Sequence, residues 1–187
     1  MAKTIRPGST ALFPVPAVLV TCGIERPNIV TLAWAGTVCS NPPMLGIAVR
    51  PERHSHGLIA QAGEFVVNLP TTKLVEAVDR CGTVSGRDHD KFALCGLTAI
   101  PAAKVRVPLI AECPIHLECV VRQTISLGSH DLVLGEIVAV QAEETLIGPR
   151  GGIAYSRASL LCYLAGEYYA LGERLEAQGF SRLPGAQ

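Results

Sequence analysis

The sequence predicts a mainly β protein with short helices, folded as an antiparallel β-barrel with helical insertions. Short, β-branched apolar runs recur along the chain and are closed by turn-forming residues. The helix-like segments between them are short, without the rhythm of a parallel βαβ sheet. A two-residue alternation over 115–123 puts Leu117, Cys119 and Val121 on one face, with His116, Glu118 and Arg122 on a face toward water or a site.

The N-terminal half contains four predicted strands. Strands at 17–22 and 28–34 form a hairpin, and an uncharged loop at 36–43 leads into a strand at 44–49. A short helix at 56–62 follows, with Ser55 as its N-cap and Gly63 at its end. A strand at 64–68 completes this half.

The C-terminal half begins with helix-like segments and continues with long strands. The periodicity predicts a helix at 72–81, capped by Thr72 and ended by Gly82. A polar loop at 85–91 leads into a turn of helix at 92–95. The strand at 115–123 precedes a long strand at 130–140, in which Gly135 predicts a bulge or a close backbone approach. All four tyrosines lie near one another in the tail.

Length and composition restrict the function classes. A chain of 187 residues indicates one domain, residues 1–187. With 49% apolar and 17% charged residues, the chain is not disordered. Its formal net charge of zero argues against nucleic-acid binding, which needs cations for phosphates. The same low charge favours association, so we expect a homodimer with an apolar interface.

Neither the uncharged stretches nor the cysteines indicate a membrane or secreted protein. The stretches at 7–24 and 27–49 are interrupted by prolines and polar residues, so neither predicts a membrane-spanning helix. The seven cysteines form no CxxC pair and are odd in number, which favours reduced thiols in the cytoplasm.

Three segments could carry chemistry, although no GxGxxG, P-loop or GxSxG motif is present. His54 and His56 could bind a metal, or could be ordinary polar residues at a helix start. The charged segment 87–91 is either a solvated turn or a lid over an anionic ligand, because Arg87 and Lys91 can both reach phosphate. The uncharged polar segment 36–43 could line a flat heterocycle, or could be an ordinary turn.

The order of several short motifs resembles the flavin reductase-like family of FMN-binding split barrels. The family includes flavoredoxin and the reductase components of two-component flavin monooxygenases. The resemblance extends over residues 14–140. Its segments are 27–34, 39–43, 47–50 with Ser55, 63–70, 84–92, 96–98, 117–119 and 128–130 with 135–137.

The resemblance implies a homodimer that binds FMN without covalent attachment and has no metal site. It implies that the flavin ring is held by the segment after the second strand, composed of Ala33, Trp34, Ala35, Gly36, Thr37, Val38, Cys39, Ser40 and Asn41. Phosphate contacts carry over to Arg50, Ser55 and Lys91. His130 is implied near the reactive edge, where NAD(P)H docks, but Ser129 stands where relatives often have Asp.

Two functions follow from the resemblance, because the family contains both. The first is an NAD(P)H-dependent flavin reductase, which passes hydride from nicotinamide to FMN. The alternative is an FMN-binding electron carrier that is reduced by a redox partner protein. The residues agree with either function, because a flavin carries the redox chemistry and the protein needs no acid–base dyad. A metal-binding barrel that uses His54 and His56 remains a third alternative.

Overall fold

The computed structural model describes residues 1–182. Within that range the strands are β1 (Val15–Pro16), β2 (Val18–Cys22), β3 (Asn28–Leu32), β4 (Ala35–Ser40), β5 (Pro43–Val49), β6 (Glu64–Leu69), β7 (Ala99–Ile100), β8 (Leu109–Ile110), β9 (Ile115–Ser126), β10 (Asp131–Ala142), β11 (Leu161–Leu164) and β12 (Glu167–Ala170). The α-helices are α1 (His54–Ala62), α2 (Val75–Thr83) and α3 (Lys91–Cys95). Short 3₁₀ helices lie at Thr72–Leu74, Glu144–Leu146 and Tyr155–Arg157.

One seven-stranded sheet forms the barrel, in the order β3-β2-β6-β9-β10-β5-β4. Every neighbouring pair in it is antiparallel. The edge strands β3 and β4 are separated in sequence only by Ala33 and Trp34. The sheet must therefore curl until its two edges almost meet. Because β3 and β4 do not pair, the barrel stays split there, which confirms the predicted fold class.

The barrel interior is a continuous apolar core. Phe65 and Ile47 are among its fully buried side chains, and strands β2, β3, β5, β6, β9 and β10 all contribute to it. Gly135 lies on β10 directly against Phe65, where an added Cβ would stand 2.6 Å from the ring Cζ. The β9–β10 register shifts between Leu134 and Gly135. Both the close approach and the bulge predicted at Gly135 are therefore present.

Helices α2 and α3 cover the outer face of β2 and β3. Val78 and Cys81 of α2 are buried there against Leu19 and Ile29. This second core continues to Leu161 of the small sheet formed by β1, β11 and β12. The tail tyrosines Tyr163 and Tyr168 pack edge to face within the same group, with ring centroids 5.7 Å apart.

Several predicted boundaries were wrong. Most of the predicted loop at 36–43 is strand β4, because these residues hydrogen-bond along one side to β5. The second strand ends at Leu32 rather than at residue 34. The predicted helix at 72–81 is a 3₁₀ turn followed by α2, so Thr72 is not the cap of α2 and Gly82 lies inside it.

The second face of β9 does not face water at its start. Glu118 is fully buried and His116 is nearly so. The Glu118 carboxylate accepts hydrogen bonds from the amides of Ala103, Lys104 and Val105 and from Gln141 Nε2. Burial opposes the charge, but these donors outweigh it and lower the pKa of Glu118. The loop at 103–105 therefore supplies the polar partners of a side chain that the alternation predicted to face water or a site.

Among residues 1–182, no helix is both long enough and apolar enough to cross a membrane.

Candidate functional site

A cavity of about 530 Å³ opens where the barrel is split. The β3–β4 connection forms one wall, and the end of β5 forms another. Aromatic and apolar side chains line most of this space, which we call the aromatic cavity. Its lining includes Phe13, Leu32, Ala33, Trp34, Val49, His130, Tyr163 and Tyr168. A space of this size and character suits a flat heterocyclic ligand.

Trp34 and His130 form the rim of the aromatic cavity. Their ring centroids lie 4.7 Å apart with the planes inclined by 43°. Trp34 is held by its backbone, since its carbonyl accepts a hydrogen bond from the amide of Ala48 at 2.9 Å. The Ser129 hydroxyl lies 3.0 Å from His130 Nδ1. This contact and the Trp34 face fix the orientation of the imidazole.

A second cavity of about 350 Å³ adjoins the first and is cationic. The two cavities share the lining residues Val30, Arg50, Arg53 and Gly82. Arg87 lines only the second one, which we call the cationic cavity. The guanidinium groups that surround it are on exposed residues, so they can move onto a ligand. Arg50 already has a partner, Glu52, at 3.5 Å.

Helix α1 begins at the cationic cavity. Arg53 is its N-cap, and no side chain caps the first turn. The His56 amide bonds to the Arg53 carbonyl at 3.0 Å, whereas the amides of His54 and Ser55 precede the first intrahelical bond. The chain therefore presents these N–H donors and the positive dipole end to this cavity. Predicting Ser55 as the N-cap was wrong. Ser55 lies two residues after the N-cap and is buried, and its Oγ accepts a hydrogen bond from Asn28 Nδ2 at 2.9 Å.

Gly86 connects the polar loop to this helix start through Asn28. A Cβ at Gly86 would stand 2.0 Å from Asn28 Oδ1, so only glycine allows the loop to lie so close to the side chain. Asn28 in turn bonds to Ser55. The loop that carries Arg87 and the start of α1 therefore both contact the Asn28 side chain, which positions them relative to each other.

Lys91 lies below the cationic cavity rather than over it. Its residue is only 4% exposed, and Nζ donates to the carbonyls of Ile29 and Cys81, each at 2.7 Å. Burial lowers its pKa. Both carbonyl contacts direct the ammonium into the structure, so Lys91 does not stand over the cavity as the lid alternative would require.

Helix α1 is also joined to the strand that follows His130. His56 Nε2 lies 2.8 Å from Asp131 Oδ2. Asp131 is the first residue of β10 and stands opposite Val49 of the neighbouring strand β5. The polar partner of His56 is therefore a carboxylate. Within residues 1–182, no three His, Cys, Asp or Glu side chains are grouped as metal ligands require.

The structure brings together only part of the sequence-predicted site. Ala33, Trp34 and His130 line the aromatic cavity, Ser55 and Lys91 line the cationic one, and Arg50 lines both. The rest of the predicted ring-binding segment runs along the edge strand and lines neither cavity: Ala35, Gly36, Thr37, Val38, Cys39, Ser40 and Asn41. That strand pairs with β5 on one side, and its residues are mostly exposed.

Several residues of the site were not found by sequence reasoning. Phe13, Tyr163 and Tyr168 close the aromatic cavity, and Asp79 and Thr83 of α2 line it too. The tyrosine cluster in the tail was a visible signal, but nothing local connected it to the β3–β4 turn. The Asn28–Gly86 and His56–Asp131 contacts join residues far apart in sequence.

Comparisons with known proteins agree on one family. The family model described as "Flavin reductase like domain" matches residues 10–172. An uncharacterized protein of Archaeoglobus fulgidus is 40% identical over 129 residues, which is 69% of this chain and 73% of that protein.

Solved structures show the same likeness over nearly the whole chain. Flavoredoxin of Desulfovibrio vulgaris (Miyazaki F) is 32% identical with a TM-score of 0.89, covering 97% of this chain and 99% of that one. An FMN-binding protein from Thermus thermophilus, crystallised with 1-cyclohex-2-enone, is 27% identical with a TM-score of 0.80. That alignment covers 95% of this chain and 97% of the other.

Proposed function

This chain belongs to the flavin reductase-like family, and from that premise we propose that it is a cytoplasmic, homodimeric FMN-binding oxidoreductase that uses NAD(P)H to reduce flavin. The observation that carries the proposal is the continuity of an aromatic cavity with a cationic one. FMN has the matching shape, since a flat ring system is joined by a short polyol to a monophosphate dianion. When bound, FMN supplies the hydride and electron chemistry.

The residues of the cationic cavity fit a terminal phosphate. Arg50 and Arg53 line it, and the first amides of α1 add donors and the positive dipole end. Arg87 faces the same space from the opposite loop. Lys91, fixed beneath by two carbonyls, contributes positive potential without a direct contact. This concentration of positive charge favours FMN over riboflavin.

The residues of the aromatic cavity fit the ring. Trp34 and His130 form one rim, while Phe13, Tyr163 and Tyr168 add aromatic surface to the same space. We assign His130 to the edge where the nicotinamide docks. Its role is positioning: Ser129, whose hydroxyl lies 3.0 Å from His130 Nδ1, stands where relatives often have Asp, and the carboxylate of Asp131, the next residue, is paired with His56.

A second candidate function is an electron carrier without NAD(P)H activity. The likeness to flavoredoxin, at 32% identity over 97% of this chain, favours it. In that case a redox partner protein reduces the flavin at the exposed Trp34 rim, where a protein surface can approach.

Anaerobic stopped-flow mixing of the FMN-loaded protein with NADH or NADPH tests the proposal. If the protein is a reductase, NADH or NADPH should bleach the flavin absorbance within the turnover time. Bleaching by dithionite but by neither nucleotide would favour the carrier. Failure of the purified chain to retain FMN on gel filtration, at concentrations where riboflavin is also lost, would overturn both. Light scattering decides the homodimer, because a stable 19.8 kDa monomer contradicts it.

A further inference from the structure

Two cysteines outside the aromatic cavity stand in direct contact. Cys81 Sγ of α2 and Cys95 Sγ of α3 lie 3.5 Å apart, and both are free thiols. Cys81 is buried against the outer core, whereas Cys95, the last residue of α3, is partly exposed. The pair thus joins a thiol on a buried residue to one on a residue that is partly open to solvent.

The surrounding contacts hold the two sulfurs together. Helix α3 is attached to Cys81 at both ends, since Lys91 Nζ donates to the Cys81 carbonyl and Cys95 meets the Cys81 thiol. Arg80 Nη1 adds a contact to the Leu94 carbonyl at 3.3 Å. Closing the sulfurs from 3.5 Å to a bond of about 2.05 Å requires the two side chains to approach each other. Gly96 follows Cys95 in a left-handed conformation and ends the helix there.

We propose that Cys81 and Cys95 are a redox modification site, which forms a reversible intrachain disulfide when the protein meets a peroxide. The Cys95 thiolate attacks one oxygen of hydrogen peroxide, which gives Cys95 sulfenic acid and hydroxide. The Cys81 sulfur then attacks the Cys95 sulfur, and water leaves as the S–S bond forms. In total, two thiols and one peroxide become one disulfide and two waters, so the thiols lose two electrons and the peroxide gains them.

The order of the two steps follows from the environments. Burial raises the pKa of Cys81, and its hydrogen bond to Cys95 raises it further, so Cys81 is a poor first nucleophile. Cys95 is nearer to solvent and reacts first. The second step needs Cys81 to lose its proton, and closure is therefore faster at higher pH.

Peptide mapping of the full chain after treatment with equimolar hydrogen peroxide tests the site. Trypsin cleaves after Arg80, Arg87, Lys91 and Lys104, so the two cysteines fall in separate peptides, 81–87 and 92–104. The expected result is one linked pair of these peptides, lighter by two hydrogens than their sum. Two thiols are lost from the seven of the chain, and dithiothreitol restores them.

Two variants control the experiment. Cys95→Ser should lose the link, whereas Cys162→Ser, which removes another partly exposed thiol, should keep it. Peroxide treatment should also raise the melting temperature of the wild type, because the disulfide forms there, and should leave that of Cys95→Ser unchanged. Sulfinic acid at Cys95 with Cys81 still a free thiol would overturn the proposal. So would a link between two chains, or a link that persists in Cys95→Ser.

Discussion

Replacing Arg50 by alanine should weaken FMN binding and leave riboflavin binding nearly unchanged. Arg50 lines both cavities, and a charge-assisted contact to phosphate contributes about 1.5–3 kcal/mol. Its side chain is 53% exposed and is 3.5 Å from Glu52, so solvent and the carboxylate both weaken the contact. We therefore expect the lower limit, a loss of about 1.5 kcal/mol or about tenfold in Kd.

Quenching of flavin fluorescence measures both ligands in one titration format. The matched control is Arg122→Ala, because Arg122 is equally exposed at 52% and also pairs with a glutamate, but lines neither cavity. The FMN loss in Arg50→Ala should shrink as salt is added, as expected of a screened contact. Glu52→Gln should act oppositely and tighten FMN, because it frees the guanidinium.

Three outcomes would refute this reasoning about Arg50. Equal losses for FMN and riboflavin would mean that Arg50 supports the fold and not the phosphate. An equal loss in Arg122→Ala would mean that only the net charge matters. A change in melting temperature in Arg50→Ala alone would show that the loss comes through stability.

Three other substitutions test the scaffold. Gly86→Ala should displace Asn28 and weaken FMN binding more than it lowers the melting temperature, because the cavity loop moves; titration and melting curves compare the two. Gly135→Ala should lower the free energy of unfolding by about 1–3 kcal/mol in urea, because its Cβ overlaps the Phe65 ring. Glu118→Gln should cost about 2–3 kcal/mol at neutral pH, by leaving buried amides poorly paired. The folded pKa of Glu118 is lowered, so its contribution is complete above the ordinary value of 4.5 and is lost as pH falls through the folded value. Acid titration of both proteins should therefore show their stabilities converging, and a gap that is constant with pH would contradict this account.

The sequence predicted the strands best where local pattern and burial coincide. The apolar runs of β2, β5 and β6 form the barrel core, and no distant partner is needed to explain them. The sequence predicts a loop where β4 lies, because the exposed residues of this strand resemble a loop. Only its pairing with β5 makes it a strand. An edge strand has one hydrogen-bonding neighbour and no buried face to set its pattern.

The candidate site was predicted less completely, because its geometry depends on long-range contacts. Lys91 follows a polar loop in sequence, yet the carbonyls of Ile29 and Cys81 draw its ammonium inward. Ser55 precedes the predicted helix, yet it lies within α1 and its hydroxyl accepts a hydrogen bond from Asn28 of β3. A polar residue in the sequence shows which bonds it can make, whereas the fold decides which partner it meets.

The His56–Asp131 hydrogen bond joins the first turn of α1 to the start of β10, so it couples the helix end that carries Arg53 to the residue that follows His130. Arg53 lines both cavities, and His130 lines the aromatic one. The two walls therefore share one mechanical link, and a displacement of the helix start is transmitted to the strand rather than absorbed between them.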